Sequence, residues 1–139
     1  MPTEVVVALI VVSAIAVQVA IVGRASRALH PLVISLALQV AGLIVGLGWL
    51  LWSRTWPQLP QVIGQWWWLP LGIVGWIVVA ALGFSAARLG TSATLAIVIG
   101  AQLIVGLILD QAAGRLELGA PQVLGATLLV AGAILVSWR

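Results

Sequence analysis

Apolar residues are concentrated in five long stretches separated by short polar or turn-forming segments. The stretches cover residues 4–23, 31–52, 67–86, 91–110 and 120–138. A hydrocarbon core of about 30 Å requires about 20 apolar residues in a helix, so each stretch is long enough to cross a bilayer. The pattern therefore predicts an all-α integral membrane protein, with five transmembrane helices in a single domain over residues 1–139.

Proline and glycine mark the ends of these stretches. Pro31 and Pro121 lie at predicted helix starts, where a missing N–H costs little. Gly90 is predicted to end the third helix, and Thr91 or Ser92 to cap the fourth. We therefore expect a tight hairpin between these two helices.

The composition agrees with a membrane location. Hydrophobic residues make up 63% of the chain and charged residues 6%, and the mean hydropathy is +1.26. A soluble domain carries about 25% charged residues, so this chain cannot build a water-facing surface. A signal peptide is the alternative for the first stretch. Glu4 and the length of the apolar run favour a retained helix instead.

The charged residues predict an orientation in the membrane. Five spans divide the charged residues between the two ends of the bundle. One end carries Arg24, Arg27, Arg88 and Arg139, with His30. The other end carries Arg54 and Arg115, with the acids Glu4, Asp110 and Glu117. The positive-inside rule then predicts an outside N-terminus and a cytoplasmic C-terminus. The bias of four arginines against two is small, which leaves dual topology open. The six arginines are scattered and form no basic patch, so no nucleic-acid partner is predicted.

Three glutamines and one tryptophan are the candidate solute-binding residues. Gln102 lies about 16 Å into the fourth span at about 1.5 Å per residue, near the bilayer midplane. Its amide can donate and accept hydrogen bonds, and Trp76 offers a flat face to an apolar or cationic group. Gln18 and Gln39 lie nearer the cytoplasmic side and are predicted to form an access route. The alternative is that each amide forms a hydrogen bond to a neighbouring helix, which contributes about 1 kcal/mol to stability, and that Trp76 packs in the core.

Two further sets of residues predict contacts between elements. Gly125 and Gly132 lie seven residues apart on one face of the fifth span, which predicts a close helix contact at a dimer interface. Asp110 lies where a carboxylate opposes the helix dipole, so we expect an ion pair with Arg54 or Arg115.

Small residues also recur on single faces of other spans. In the second span they are Ser35, Gly42 and Gly46, with Gln39, and in the third Gly72, Ala80 and Gly83, with Trp76. We expect these faces to contact other helices rather than lipid.

Catalytic chemistry is not indicated. The chain has no cysteine and one histidine, which excludes thiol chemistry and leaves no Ser/His/Asp or metal-ligand constellation. We therefore predict no enzyme activity, no catalytic residue, no metal and no cofactor.

Several short motifs resemble a known transporter family. The stretch from Ile99 through Gln102 to Asp110, the turn Arg88-Leu89-Gly90-Thr91, and the run Leu71–Gly75 are similar to motifs of the YdcZ-like branch of the drug/metabolite transporter superfamily, and so is Gln18 followed by Arg24. The chain departs from the family pattern in three places, where Val22, Ala87 and Ala101 replace the expected Asn, Pro and Gly.

This resemblance implies a half-transporter in a bacterial-type inner membrane. Larger members of the superfamily have ten helices in two inverted repeats of five. Two five-helix chains in opposite orientations would give the same ten-helix arrangement. They could pair as an antiparallel homodimer, or as a heterodimer of this chain with an oppositely oriented homologue. The expected partners are then the lipid bilayer and a small organic solute bound near the midplane. The alternative is a non-transporting membrane subunit that scaffolds or regulates a partner protein.

Overall fold

The computed structural model describes residues 2–114 and 119–138, and it confirms the predicted all-α membrane fold. The described residues contain no strand, and five of their helices are long and apolar enough to cross a membrane. In chain order the helices are α1 (Thr3–Ala25), α2 (Pro31–Ser53), α3 (Leu59–Ile63), α4 (Trp68–Leu89), α5 (Thr91–Ala112) and α6 (Ala120–Ser137), with a 3-10 turn at Trp56–Gln58.

The five long helices begin and end within three residues of the predicted bounds. The loop between α2 and α4 is more ordered than the sequence indicated, since it contains the 3-10 turn and the short helix α3. Pro57 and Pro60 lie in the first turns of these two elements, where they remove no hydrogen bond. Helix α1 extends past its predicted end to Ala25, so Gly23 lies inside it.

Gly90 alone connects α4 to α5. Its φ of 87° and ψ of 159° lie in a region that is essentially restricted to glycine, so the predicted helix stop is correct. The predicted capping by Thr91 or Ser92 is wrong. Both residues are already helical, because the carbonyl of Gly90 accepts the N–H of Thr94 at 3.2 Å and no side chain caps α5.

Helix α4 lies at the centre of the bundle. It packs against α1, α2 and α5, while α6 packs mainly on α5. Helices α1 and α4 end, and α2 and α5 begin, at the same end of the bundle, which we call the arginine end because it carries Arg24, Arg27 and Arg88. Glu4 and Asp110 lie at the opposite end.

The contact between α1 and α4 is very close, because both helices place glycine in it. A Cβ atom on Gly23 would lie 2.7 Å from the Cβ of Ala86, and one on Gly83 would lie 2.6 Å from Cγ1 of Val22. Gly23, Gly83 and Ala86 are all buried. In lipid, where apolar burial does not drive helices together, such close backbone packing is the main source of helix association.

The outer surface of the bundle is apolar. Val45 is 73% exposed and Leu135 is 71% exposed, and most other large aliphatic side chains are exposed as well. A soluble monomer does not carry apolar surface on this scale. The exposed side chains match a hydrocarbon environment, and the chain is a multi-pass membrane protein.

The small-residue faces have mixed outcomes within one chain. Gly83 and Ala80 are buried as expected. In contrast, a Cβ atom on Gly42, Gly46 or Gly72 would have no described atom of another element within 4 Å. These three glycines therefore contact no other described helix of the same chain.

We expect Gly23→Ala to destabilise the bundle. The added methyl group would collide with Ala86 and force α1 away from α4, and overpacking of this kind costs about 1–3 kcal/mol. The measurement is the melting temperature of the purified protein in detergent.

Gly48→Ala is the matched control, since a Cβ atom at Gly48 meets nothing within 4 Å. Alanine is about 1 kcal/mol more favourable than glycine inside a helix, so this variant should melt at the same temperature or higher. Equal melting temperatures for the two variants would contradict the close α1–α4 contact.

Candidate functional site

Trp76 links α4 to α2 through two hydrogen bonds. Its indole Nε1–H donates to the carbonyl oxygen of Leu32 at 3.2 Å. In the other direction, the hydroxyl of Ser35 donates to the carbonyl oxygen of Trp76 at 2.6 Å. Ser35 is fully buried, whereas the Trp76 side chain is partly exposed. The indole N–H is thus used in a hydrogen bond between helices, and the face of the ring is the part of Trp76 that remains available to a solute.

Gln39 lies one helical turn after Ser35 on α2. Its Nε2 atom is 3.7 Å from the position that a Cβ atom on Gly75 would occupy. The absence of a side chain at Gly75 leaves room for this amide beside α4. The structure therefore brings Gln39 and Trp76 together at the boundary between α2 and α4.

Gln18 lies at a different boundary. It lines a cavity of about 30 Å³ between α1 and α4, together with Val19, Val22 and Val79 among others. A cavity of this size holds about one water molecule, so it is too small for an organic solute. The access role predicted for Gln18 stays a prediction.

Gln102 lies at mid-depth and is exposed. It is the twelfth of the 22 residues of α5. Gly100 faces α6, since a Cβ atom there would be 3.5 Å from Cδ2 of Leu129. Two residues correspond to about 200° around a helix, so Gln102 lies on the side of α5 away from α6. The solute-binding role predicted for Gln102 together with Trp76, Gln39 and Gln18 stays a prediction.

A larger groove runs between α5 and α6, and the sequence did not predict it. Its volume is about 510 Å³, and Ile104, Leu107, Val123, Thr127 and Val130 contribute to its lining. The hydroxyl of Thr127 donates to the carbonyl oxygen of Val123 at 2.8 Å, within its own helix. The groove therefore offers a solute or lipid chain apolar contact but no free polar partner.

The predicted ion pair is only partly within the described chain. Asp110 is exposed near the end of α5, and Arg54 is exposed at the end of α2 with a φ of 55°. Arg115, together with Glu117, lies outside the described residues. The pairing of Asp110 with either arginine stays a prediction.

Two hydroxyl groups were missed by the sequence reasoning. The Oγ atom of Ser26 and the Oγ1 atom of Thr94 are buried and have no hydrogen-bond partner among the described residues. Ser26 follows Gly23 by three residues, which is helical spacing, so it enters the same contact with α4. That spacing was the available signal.

Metal ligands are not clustered in the described part of the chain. Residues 2–114 and 119–138 contain no group of three or more His, Cys, Asp and Glu side chains that could hold one ion. The site as described offers amides, hydroxyls and aromatic faces.

Comparison with known families gives one match, which covers residues 4–135. The matching family is described as "Putative inner membrane exporter, YdcZ". No curated protein and no solved structure gives a significant match to the chain.

We expect Ser35→Ala to weaken the α2–α4 boundary that holds Trp76 and Gln39. The substitution removes the 2.6 Å hydrogen bond to the carbonyl of Trp76, and an interhelical hydrogen bond in a membrane contributes about 1 kcal/mol. The melting temperature in detergent should fall.

Ser13→Ala is the control for this change. The hydroxyl of Ser13 bonds the carbonyl oxygen of Leu9 in its own helix at 2.8 Å and is exposed, so its loss should leave the melting temperature unchanged. If Ser35→Ala melts like Ser13→Ala, the bond between the helices contributes nothing to stability.

Proposed function

We propose that this chain, which belongs to the YdcZ family of inner membrane exporters, moves a small organic solute across the membrane through a site near the bilayer midplane. Gln102 is the observation that carries the proposal. Its amide is exposed halfway along α5, and an unpartnered polar group in hydrocarbon costs several kcal/mol. An amide at that depth therefore favours a second chain or a polar passage, rather than lipid, as its neighbour.

The proposed transporter is a pair of oppositely oriented chains. Five spans place the two ends of a chain on opposite sides of the membrane, and inverted repeats with a site between them are a common transporter design. Either two copies of this chain or this chain and an oppositely oriented homologue would provide the arrangement. The small excess of arginine at one end is compatible with both.

Helix α6 provides the surface for this pairing. Ala133 is buried towards α5, and Gly132 precedes it by one residue, which is about 100° around the helix. Cβ atoms on Gly125 and Gly132 would have no described atom of another element within 4 Å. The glycine face of α6 is therefore open to a helix of another chain, and glycine permits the close approach that membrane helices need.

Each candidate residue has a defined role in this proposal. Gln102 orients a polar group of the solute, and the ring of Trp76 stacks on an apolar or cationic part. Gln39 and Gln18 line the route to the side that we infer to be cytoplasmic, where Arg24, Arg27 and Arg88 lie. The described acids, Glu4 and Asp110, lie near the membrane surface. Transport is then passive, or coupled to something other than a proton carried at the midplane.

We expect Gln102→Leu to reduce transport about five- to tenfold, because it removes a solute hydrogen bond worth about 1 kcal/mol at similar side-chain size. The assay follows a fluorescent aromatic cation, ethidium, out of proteoliposomes that contain only this chain. Gln61→Leu, an exposed glutamine on the short helix α3, is the control and should transport at the wild-type rate.

Three outcomes would contradict parts of this proposal. A well-assembled wild-type chain without flux would favour the scaffold alternative. Wild-type rates in Gln102→Leu would place the site elsewhere. Uphill accumulation driven by a pH gradient alone, and lost only in Asp110→Asn, would make Asp110 the proton carrier.

We expect the double variant Gly125→Leu and Gly132→Leu to shift the protein from dimer to monomer. The leucine side chains would fill the open face of α6 and keep another helix at a distance. Cysteine cross-linking in membranes measures the pairing, and the chain has no cysteine of its own to interfere.

Gly48→Leu is the control, since Gly48 is equally open but lies on α2. It should pair like the wild type. Cross-links that join only like ends of two chains would show a parallel dimer and contradict the antiparallel arrangement.

A further inference from the structure

The arginine end of the bundle contains a cavity that the transport proposal does not use. It has a volume of about 580 Å³ and lies where the loop from Ser26 to Pro31 meets the last turns of α4. Helix α1 ends at Ala25 and α2 begins at Pro31, so the cavity opens at the level of the membrane surface.

The lining of this cavity is positively charged. Arg27 and Arg88 contribute guanidinium groups, His30 contributes an imidazole, and no lining residue carries a carboxylate. The Nδ1 atom of His30 accepts the N–H of Leu32 at 3.3 Å, so the proton of a neutral imidazole is on Nε2. The two guanidinium groups and the imidazole N–H are therefore all hydrogen-bond donors suited to an anion.

One contact prepares the lining for a ligand. The guanidinium carbon of Arg88 lies 4.3 Å from the centre of the Phe84 ring, and this cation–π contact restrains its position. The Oγ atom of Ser26 is buried and faces Gly83 in the contact between α1 and α4, so the guanidinium groups are the main donors of this lining. A restrained arginine matches the acceptor oxygens of a phosphate group.

The surroundings of the cavity match a phospholipid better than a soluble phosphate. Leu29 is 60% exposed and Phe84 is 48% exposed, and both line the cavity. They provide an apolar surface next to the guanidinium groups, as an acyl chain next to a headgroup requires. Basic pockets between transmembrane helices bind anionic headgroups in this way.

We propose that this cavity binds the phosphate group of an anionic phospholipid through Arg27 and Arg88. The bound lipid bridges the α1–α2 loop and the end of α4, and so stabilises the arginine end of the bundle. The site is separate from the midplane residues, so the proposal does not depend on transport.

Lipid binding tests this inference directly. Phosphatidylglycerol is titrated into the purified full-length chain in detergent, and the bound fraction is measured by native mass spectrometry. Phosphatidylcholine and inorganic phosphate are titrated in parallel. We expect phosphatidylglycerol to bind most tightly, and Arg88→Gln or Arg27→Gln to weaken it about fivefold each, as the loss of one arginine at a membrane surface predicts.

Arg24→Gln is the matched control. Arg24 carries the same charge at the same end of α1, but it is not part of the cavity lining. It should retain wild-type affinity. Equal losses in Arg24→Gln and Arg88→Gln, or equal binding of phosphatidylcholine, would reduce the effect to general surface charge and overturn the proposal. Displacement of the lipid by millimolar inorganic phosphate would assign the site to a soluble phosphate instead.

Discussion

The close approach of α1 and α4 is the contact on which the rest of the bundle depends. Lipid tails are as apolar as leucine, so large aliphatic side chains gain little by turning inward. Gly23 and Gly83 let the two backbones meet instead, each glycine facing a side chain of the opposite helix. Because α4 also contacts α2 and α5, its position relative to α1 determines where the other helices can lie.

Polar groups in this chain divide by how they are satisfied. The hydroxyls of Ser13 and Thr127 bond carbonyls of their own helices, so they make no demand on a neighbour. Ser35 on α2 and Trp76 on α4 each donate a hydrogen bond to a carbonyl oxygen of the other helix, and these two bonds link α2 to α4. Gln102 fits neither class within one chain. Its exposure at mid-depth favours a functional role for this amide over a purely structural one.

Hydropathy alone predicts the five spans and nearly all of their ends, because the length of an apolar run is a local property. The turn at Gly90 is also local and was predicted correctly. The contacts of single residues are not local. Gly72 and Gly83 lie on the same predicted face of α4, yet only Gly83 is buried. A pattern of small residues shows which face of a helix permits close contact. It does not show whether lipid, another helix or a second chain covers that face, because all three are apolar. For the same reason the sequence could not show that Gln39 and Trp76 lie at one boundary between α2 and α4, or that Gln102 lies on the side of α5 away from α6.

The single-residue connection at Gly90 has a mechanical consequence. Only two peptide bonds join Leu89, the last residue of α4, to Thr91, the first of α5, so these two ends cannot slide past each other. The two helices therefore share a fixed point at the arginine end. A change in the angle between them at Gly90 displaces the far end of α5 most, together with α6, which packs on it. Rotation about one glycine is thereby converted into displacement at the opposite face of the membrane.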